Sequence, residues 1–186
     1  MKEYYLEKPC YSDEEAVRLL TDKWRLFGGR MNPGLLRYFT GNYTEWMDFI
    51  DDRSAGRNIG EEVPQTLFFL KNSDGTILGA VSLRHFLNHT NIVDGGHIGY
   101  GICPEYRGKG YGSLILSLAL KKLKEMGISK VLVTCDTDNI ASQKVILHNN
   151  GVLENQTFDE DGIEINRYWI DNTAWQEVSP GGKFAN

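Results

Sequence analysis

One stretch constrains this chain more than any other: Ile102-Cys103-Pro104-Glu105-Tyr106-Arg107-Gly108-Lys109-Gly110-Tyr111-Gly112-Ser113. Gly95 to Gly101 before it reads as a strand, and Leu114 to Met126 after it as a helix with one apolar face. A strand that enters a short loop of three glycines, an arginine and a lysine, and leaves into a helix, predicts a phosphate cradle. The helix end offers unpaired N–H groups and the positive end of its dipole, and glycine lets backbone approach a ligand closely.

The flanking segments supply strands and helices in a definite order. Tyr4 to Glu7 has strand character, and Ser12-Asp13-Glu14-Glu15 is a capping-box pattern opening a helix that carries Ala16, Leu19, Leu20, Trp24, Leu26 and Phe27. Leu35–Phe39 and Thr44–Ile50 read as short helices, the second fading into the polar run Asp51 to Asn58. After Pro64 the period changes: Thr66–Leu70 is a strand, Asn72–Gly75 a hairpin turn, Ile77–Arg84 the return strand. Val131 to Cys135 is a continuous apolar run, as expected of a strand buried on both faces and paired parallel to a neighbour. A helix over Gln143–His148 and strands at Val152–Glu154 and Ile165–Ile170 close the chain. The expected organisation is one α/β domain over 1–178 and a flexible tail over 179–186.

Composition narrows the function classes. A net charge of −5 over 186 residues leaves no nucleic-acid footprint, and no run is apolar and long enough to predict a membrane span or a signal peptide. The cysteines, Cys10, Cys103 and Cys135, are odd in number and widely spaced, which fits reduced thiols in a cytoplasmic protein and no metal site.

Three designs of glycine loop compete for the central stretch. A Walker loop needs Ser or Thr after its Lys, and Lys109 is followed by Gly110. A dinucleotide fingerprint fits poorly, because the third glycine comes one place early and a hairpin precedes it. The spacing Arg107-x-x-Gly110-x-Gly112 resembles the acyl-CoA pyrophosphate loop of the GNAT superfamily of N-acetyltransferases. The order of elements resembles that family's topology, a mostly antiparallel mixed sheet with one parallel splayed pair, flanked by helices. Asn139-Ile140-Ala141-Ser142 looks like its second cofactor segment. His97-Ile98-Gly99-Tyr100 with Pro104-Glu105-Tyr106-Arg107 resembles the branch containing ribosomal-protein N-terminal alanine acetyltransferases.

The resemblance implies acetyl-CoA as cosubstrate, with its pyrophosphate on the amides of Gly108, Lys109, Gly110, Tyr111, Gly112 and Ser113 and charge from Arg107 and Lys109. It puts the amides of Ile102 and Cys103 on the pantetheine arm, an oxyanion donor within 100–102, Asn139 on the same arm and Ser142 beside it. The alternative for Asn139 is a helix cap, and one residue could do both.

Acetyl transfer needs a neutral amine, so a base or a water chain must take its proton. His97 is the first candidate, standing where relatives with this pattern often carry Glu; the alternative is a strand histidine bonded to a loop carbonyl. His85 is a weaker candidate, and Glu105 reads as solvated. For the leaving thiolate, many family members use a Tyr seven residues after the asparagine, where this chain has Ile146. That departure leaves Tyr100, Tyr168 and His148 as weak options and opens a second reading, a non-catalytic acyl-CoA-binding module. A nucleotide-dependent oxidoreductase is a distant third. Cys135 reads as core, because apolar surroundings raise a thiol pKa. Trp46, Phe49, Asp51, Asp52, Glu61 and Glu62 fall in the acceptor region, where carboxylates would attract a cationic amine. The acceptor class is a small-molecule or peptide amine, and homodimers are frequent in such families.

Overall fold

The computed structural model describes residues 3–173, so the expected tail over 179–186 lies outside the described residues. Strand β1 (Tyr4–Glu7) is followed by helices α1 (Glu14–Phe27) and α2 (Tyr43–Ala55), the hairpin β2 (Gln65–Asn72) and β3 (Ile77–Arg84), and β4 (Ile98–Ile102). Then come α3 (Tyr111–Glu125), β5 (Lys130–Asp136), α4 (Ile140–His148), β6 (Val152–Phe158) and β7 (Glu164–Asp171). Leu35–Phe39 is realised as a 3-10 turn over Gly34–Tyr38. No helix among the described residues is long and apolar enough to cross a membrane.

The strands form two antiparallel sheets, ordered β1-β2-β3-β4 and β5-β7-β6. β7, last among the described elements, inserts between β5 and β6, so the ladder of β5 is antiparallel. Its expected parallel pairing reduces to a single joint with β4. There the His97 N–H donates to the Leu132 carbonyl at 2.8 Å, and the Leu132 N–H donates to His97 Nδ1 at 2.9 Å. Beyond the joint, no backbone hydrogen bond among the described residues links β4 to β5. The two strands lead away from it, one into the glycine loop and the other into the Asp136–Asn139 turn, with no ladder closing the cleft between their backbones.

Two apolar clusters cover the faces. One unites α3 and α4 with β4, β5 and β7 through Ile98, Ile102, Ile115, Leu116, Val133 and Ile146. The other packs α1 and α2 on the first sheet through Val17, Trp24, Leu36, Trp46, Phe69 and Ala80. Helix α3 is buried nearly all round from Leu114 to Leu120, more than the single stripe its spacing predicts, and Met126, expected to end that helix, is its exposed C-cap.

Several boundaries differ from expectation for identifiable reasons. The Ser12–Glu15 capping box does not form. Asp13 precedes α1, and its carboxylate turns to Lys71 Nζ at 2.7 Å, because that buried ammonium also holds Glu7 and needs compensation. Helix α2 continues through the polar run to Ala55, with Asn42 capping Glu45 N–H and left-handed Gly56 ending it. Gly95 and Gly96 are left-handed and belong to a turn, so β4 starts at Ile98.

Candidate cofactor and active site

The glycine loop is built by β4 and α3. Pro104–Tyr106 makes one 3-10 turn, Gly108 and Gly110 adopt φ of +74° and +85°, and α3 begins at Tyr111. Those two left-handed residues turn successive amides the same way, a conformation glycine adopts without steric cost. Gly110 is the N-cap of α3 and contributes no side-chain cap. Among the described residues, the N–H groups of Gly108, Lys109, Gly110, Tyr111, Gly112 and Ser113 have no hydrogen-bond acceptor. Gly112 is needed for contact rather than torsion: a Cβ there would lie 2.9 Å from Val145 Cγ2 of α4.

The two cations flank this nest. Arg107 donates from Nε to the Ile102 carbonyl at 3.1 Å, and its guanidinium lies 5.5 Å from the Trp24 ring. Lys109 Nζ donates to the Glu105 carbonyl at 3.0 Å and lies over Tyr106. Glu105 pairs with Lys23 at 2.8 Å, which holds its carboxyl below the ordinary value, so it has a partner and is not simply solvated. These groups fit a pyrophosphate: free amides in a concave turn, a helix N-terminus, and cations fixed by their stems with donors to spare. Trp24, whose spacing marks it only as helix core, is thus the platform for Arg107; nothing local in the sequence signals that contact.

The cleft is lined by backbone. Cys103 N–H bonds to the Leu78 carbonyl and the His97 carbonyl accepts from Arg84, so the odd positions of β4 face β3. By antiparallel alternation, the N–H and C=O groups of Ile98, Tyr100 and Ile102 face the cleft. The amide of Ile102 therefore faces the cleft, and that of Cys103 does not, since it is spent on the sheet and its side chain is buried. Gly101 is small because the chain crowds it: a Cβ would sit 2.4 Å from the Asn32 carbonyl oxygen and 2.7 Å from Trp24.

Tyr100 reaches across the cleft. Its hydroxyl lies 2.9 Å from Ser142 Oγ in the first turn of α4, and burial pushes its pKa well above the ordinary phenol value. Burial pushes the Cys135 thiol up to about 11, with Ser142 also in contact, so it is no ready nucleophile. Asn139 does cap α4, accepting the Ser142 N–H on Oδ1 at 3.0 Å, which leaves its side-chain N–H₂ exposed as a donor. Ile146, at the position where the family's tyrosine would stand, is fully buried in the core.

His97 does other work than its residue type suggests. It is 7% exposed, and its Nδ1 accepts the Leu132 N–H, which fixes the neutral tautomer with the proton on Nε2. Burial, with the Arg84 charge beside it, lowers its pKa to about 4. A second proton would have to displace the joint between the sheets, so the ring is placed as a structural acceptor rather than a base. Its partner is the backbone N–H of β5, not a loop carbonyl. Around it, Arg84 Nη1 donates to the carbonyls of Gly95 and Gly96 at 2.9 Å each, and Gly95 N–H donates to Thr134 Oγ1. The glycine pair before His97 was the signal for this joint. His85 bonds Thr66 Oγ1 at 2.8 Å, outside the cleft, and Tyr168 is buried in the core. In the acceptor region Trp46 is core and Asp52 is held by Arg57 and Asn58, whereas Glu61 and Glu62 line a cavity.

Comparison with known proteins fits this geometry. Residues 3–152 match the family described as Acetyltransferase (GNAT) domain. The uncharacterized N-acetyltransferase YnaD of Bacillus subtilis (strain 168) is 30% identical over 93 residues, 50% of this chain and 52% of that protein, so the chain spans about half the length of that relative. Ribosomal-protein-S5-alanine acetyltransferase from Vibrio fischeri superposes with a TM-score of 0.67 at 15% identity, over 95% of this chain and 99% of that one. The microcin C7 self immunity acetyltransferase MccE, solved with acetyl-CoA and AMP, superposes with a TM-score of 0.62 at 22% identity, over 91% and 92% of the two chains. At those identities the likeness speaks for the fold. With the family match covering most of the chain, and the cleft and glycine loop in place, the protein belongs to the GNAT acetyltransferase family.

Proposed function

We propose that the protein transfers an acetyl group from acetyl-CoA to a primary amine by direct attack on the thioester. The observation that carries this reading is the pairing of an unladdered β4 edge with a nest of free amides at its end. An extended arm can add to the N–H and C=O groups of Tyr100 and the N–H of Ile102 as a strand would, with its pyrophosphate on Gly108 to Ser113. Asn139 supplies a donor from the opposite wall.

The backbone N–H of Tyr100 or Ile102 stabilises the charge that develops on the thioester oxygen as the C–N bond forms. The C–S bond then breaks, and the Tyr100 hydroxyl, protonated throughout the neutral range, donates a hydrogen bond to the departing sulfur. The nitrogen loses one proton to water and the thiolate gains one, so the reaction balances without a side-chain base at His97. Ser142 orients the Tyr100 hydroxyl.

The first test is thermal. Acetyl-CoA at about a hundredfold over its Kd is expected to stabilise by about 2.7 kcal/mol, a Tm rise of roughly 5–10 °C. No rise with either acetyl-CoA or CoA at millimolar concentration would sink the reading. Tyr100→Phe is expected to lower kcat about tenfold or more while the KM for acetyl-CoA stays within about twofold. Equal loss of binding and turnover would reassign Tyr100 to packing. The buried Ile146 favours one other reading, an acyl-CoA-binding module without turnover. It would give the Tm rise but no thiol release with any amine.

A further inference from the structure

The cofactor loop carries one charge that opposes its ligand. Glu105, Arg107 and Lys109 stand between β4 and α3, so the carboxylate offsets one of the two positive charges that a pyrophosphate would meet there. Its residue adjoins the nest, for Lys109 Nζ donates to the Glu105 carbonyl at 3.0 Å. The nest leads into the N-terminus of α3, where an anion is favoured, and a free carboxylate beside it would repel that anion.

Helix α1 supplies the group that balances this charge. Lys23 Nζ donates to both Glu105 carboxylate oxygens, at 2.8 and 2.9 Å, from 82 residues away in the sequence. The Lys23 hydrogen bond holds the Glu105 carboxyl below its ordinary value, with the Lys109 charge adding to the effect, and the same bond raises Lys23. Trp24, the next residue, carries the Arg107 guanidinium on its ring and lies against Gly101. Two consecutive residues of α1 thus hold the carboxylate and one cation of the loop. The Lys23 and Glu105 side chains are 44% and 35% exposed, and a pair so exposed contributes little to folding. Its physical effect is on the field at the loop.

We infer that Lys23 is a positioning residue of the cofactor site: it holds the Glu105 carboxylate in an ion pair and so leaves Arg107 and Lys109 uncompensated for the pyrophosphate of CoA. The inference rests on the acyl-CoA part of the acetyl-transfer reading. Lys23 acts through Glu105 and does not itself touch the ligand. Removing Lys23 frees a negative charge beside a doubly negative group, whereas removing Glu105 makes Lys23 dispensable. The two residues therefore have opposite and non-additive effects on CoA affinity.

The experiment is a calorimetric titration of CoA, at low salt, into the wild type, Lys23→Met, Glu105→Gln and the double variant. Lys23→Met is expected to weaken CoA about threefold to tenfold, the effect of one partly screened unit charge. Glu105→Gln is expected to bind at least as tightly as the wild type, and the double variant to bind like Glu105→Gln. At about 0.5 M salt the ratio between Lys23→Met and wild type should fall below about twofold. A merely structural role for Lys23 would be neither rescued by Glu105→Gln nor erased by salt. Equal losses in both backgrounds would mean that Lys23 binds the phosphates itself, and no loss would mean that the carboxylate does not act on them. Either result overturns the inference and leaves the acetyl-transfer reading standing. If CoA does not bind the wild type at millimolar concentration, that reading fails, and inorganic pyrophosphate titrated into the same four proteins decides the inference. The same pattern would keep it for an anion at this loop, and any other result would remove it.

Discussion

Replacing Gly96 by alanine is expected to destabilise the protein by about 3 kcal/mol, combining a left-handed non-glycine residue with an overpacked contact. The added Cβ would lie 2.4 Å from the Leu132 carbonyl oxygen at φ +52°, and the offending atoms are backbone, which cannot rotate away. That carbonyl is the acceptor for His97 N–H, so the substitution pries open the joint that sets the angle between the sheets. Thermal unfolding should show a fall of roughly 6–12 °C for a domain of this size. A change under about 1 kcal/mol would mean that the joint is not tight. Gly108→Ala, at φ +74° with no atom within 4 Å, is the control that isolates torsion from crowding.

The second large effect concerns acid. His97 is neutral in the folded protein with a pKa of about 4, against about 6.5 for an unperturbed imidazole. Its folded value is depressed, so the unfolded chain takes up the proton first as pH falls. The stability tied to the neutral ring is fully present above pH 6.5 and is lost progressively down to about pH 4, a difference of about 3 kcal/mol. Denaturant titrations across that range should show His97→Gln with a shallower decline than the wild type. Glutamine can accept the Leu132 N–H without titrating. Parallel slopes for the two proteins would remove His97 from the acid sensitivity.

What was legible in the sequence divides along the range of the interactions. Gly108, Gly110 and Gly112 announced the loop, because positive φ and close approach are demands a single residue type meets. Asn139 before a helix was legible as a cap for the same reason. Gly56 after Ser54 and Ala55 would have marked the true end of α2, had the acidic run not suggested a loop. Strand order was not legible: Val131–Cys135 shows burial on both faces, which reports layers and not the direction of a partner, and β7 reaches β5 from more than thirty residues away. His97 shows the limit for site residues. Its type suggests proton transfer, yet its neighbours Leu132 and Arg84 decide its chemistry, and both come from other strands. Arg84 likewise looked like the end of a hairpin strand, and only the fold puts it in a cavity with Glu61 and Glu62.

The left-handed Gly110 at the start of α3 has a consequence for how the free protein behaves. A serine or aspartate in extended backbone there would cap the helix and add about 1 kcal/mol. It would do so by occupying the amides that now stay open. The protein therefore keeps the entry of its most buried helix weaker than it needs to be, and a bound anion takes over the work of a cap. Fraying of that first turn and affinity for the ligand become two sides of one equilibrium: whatever stiffens the turn in the absence of ligand does so at the expense of binding.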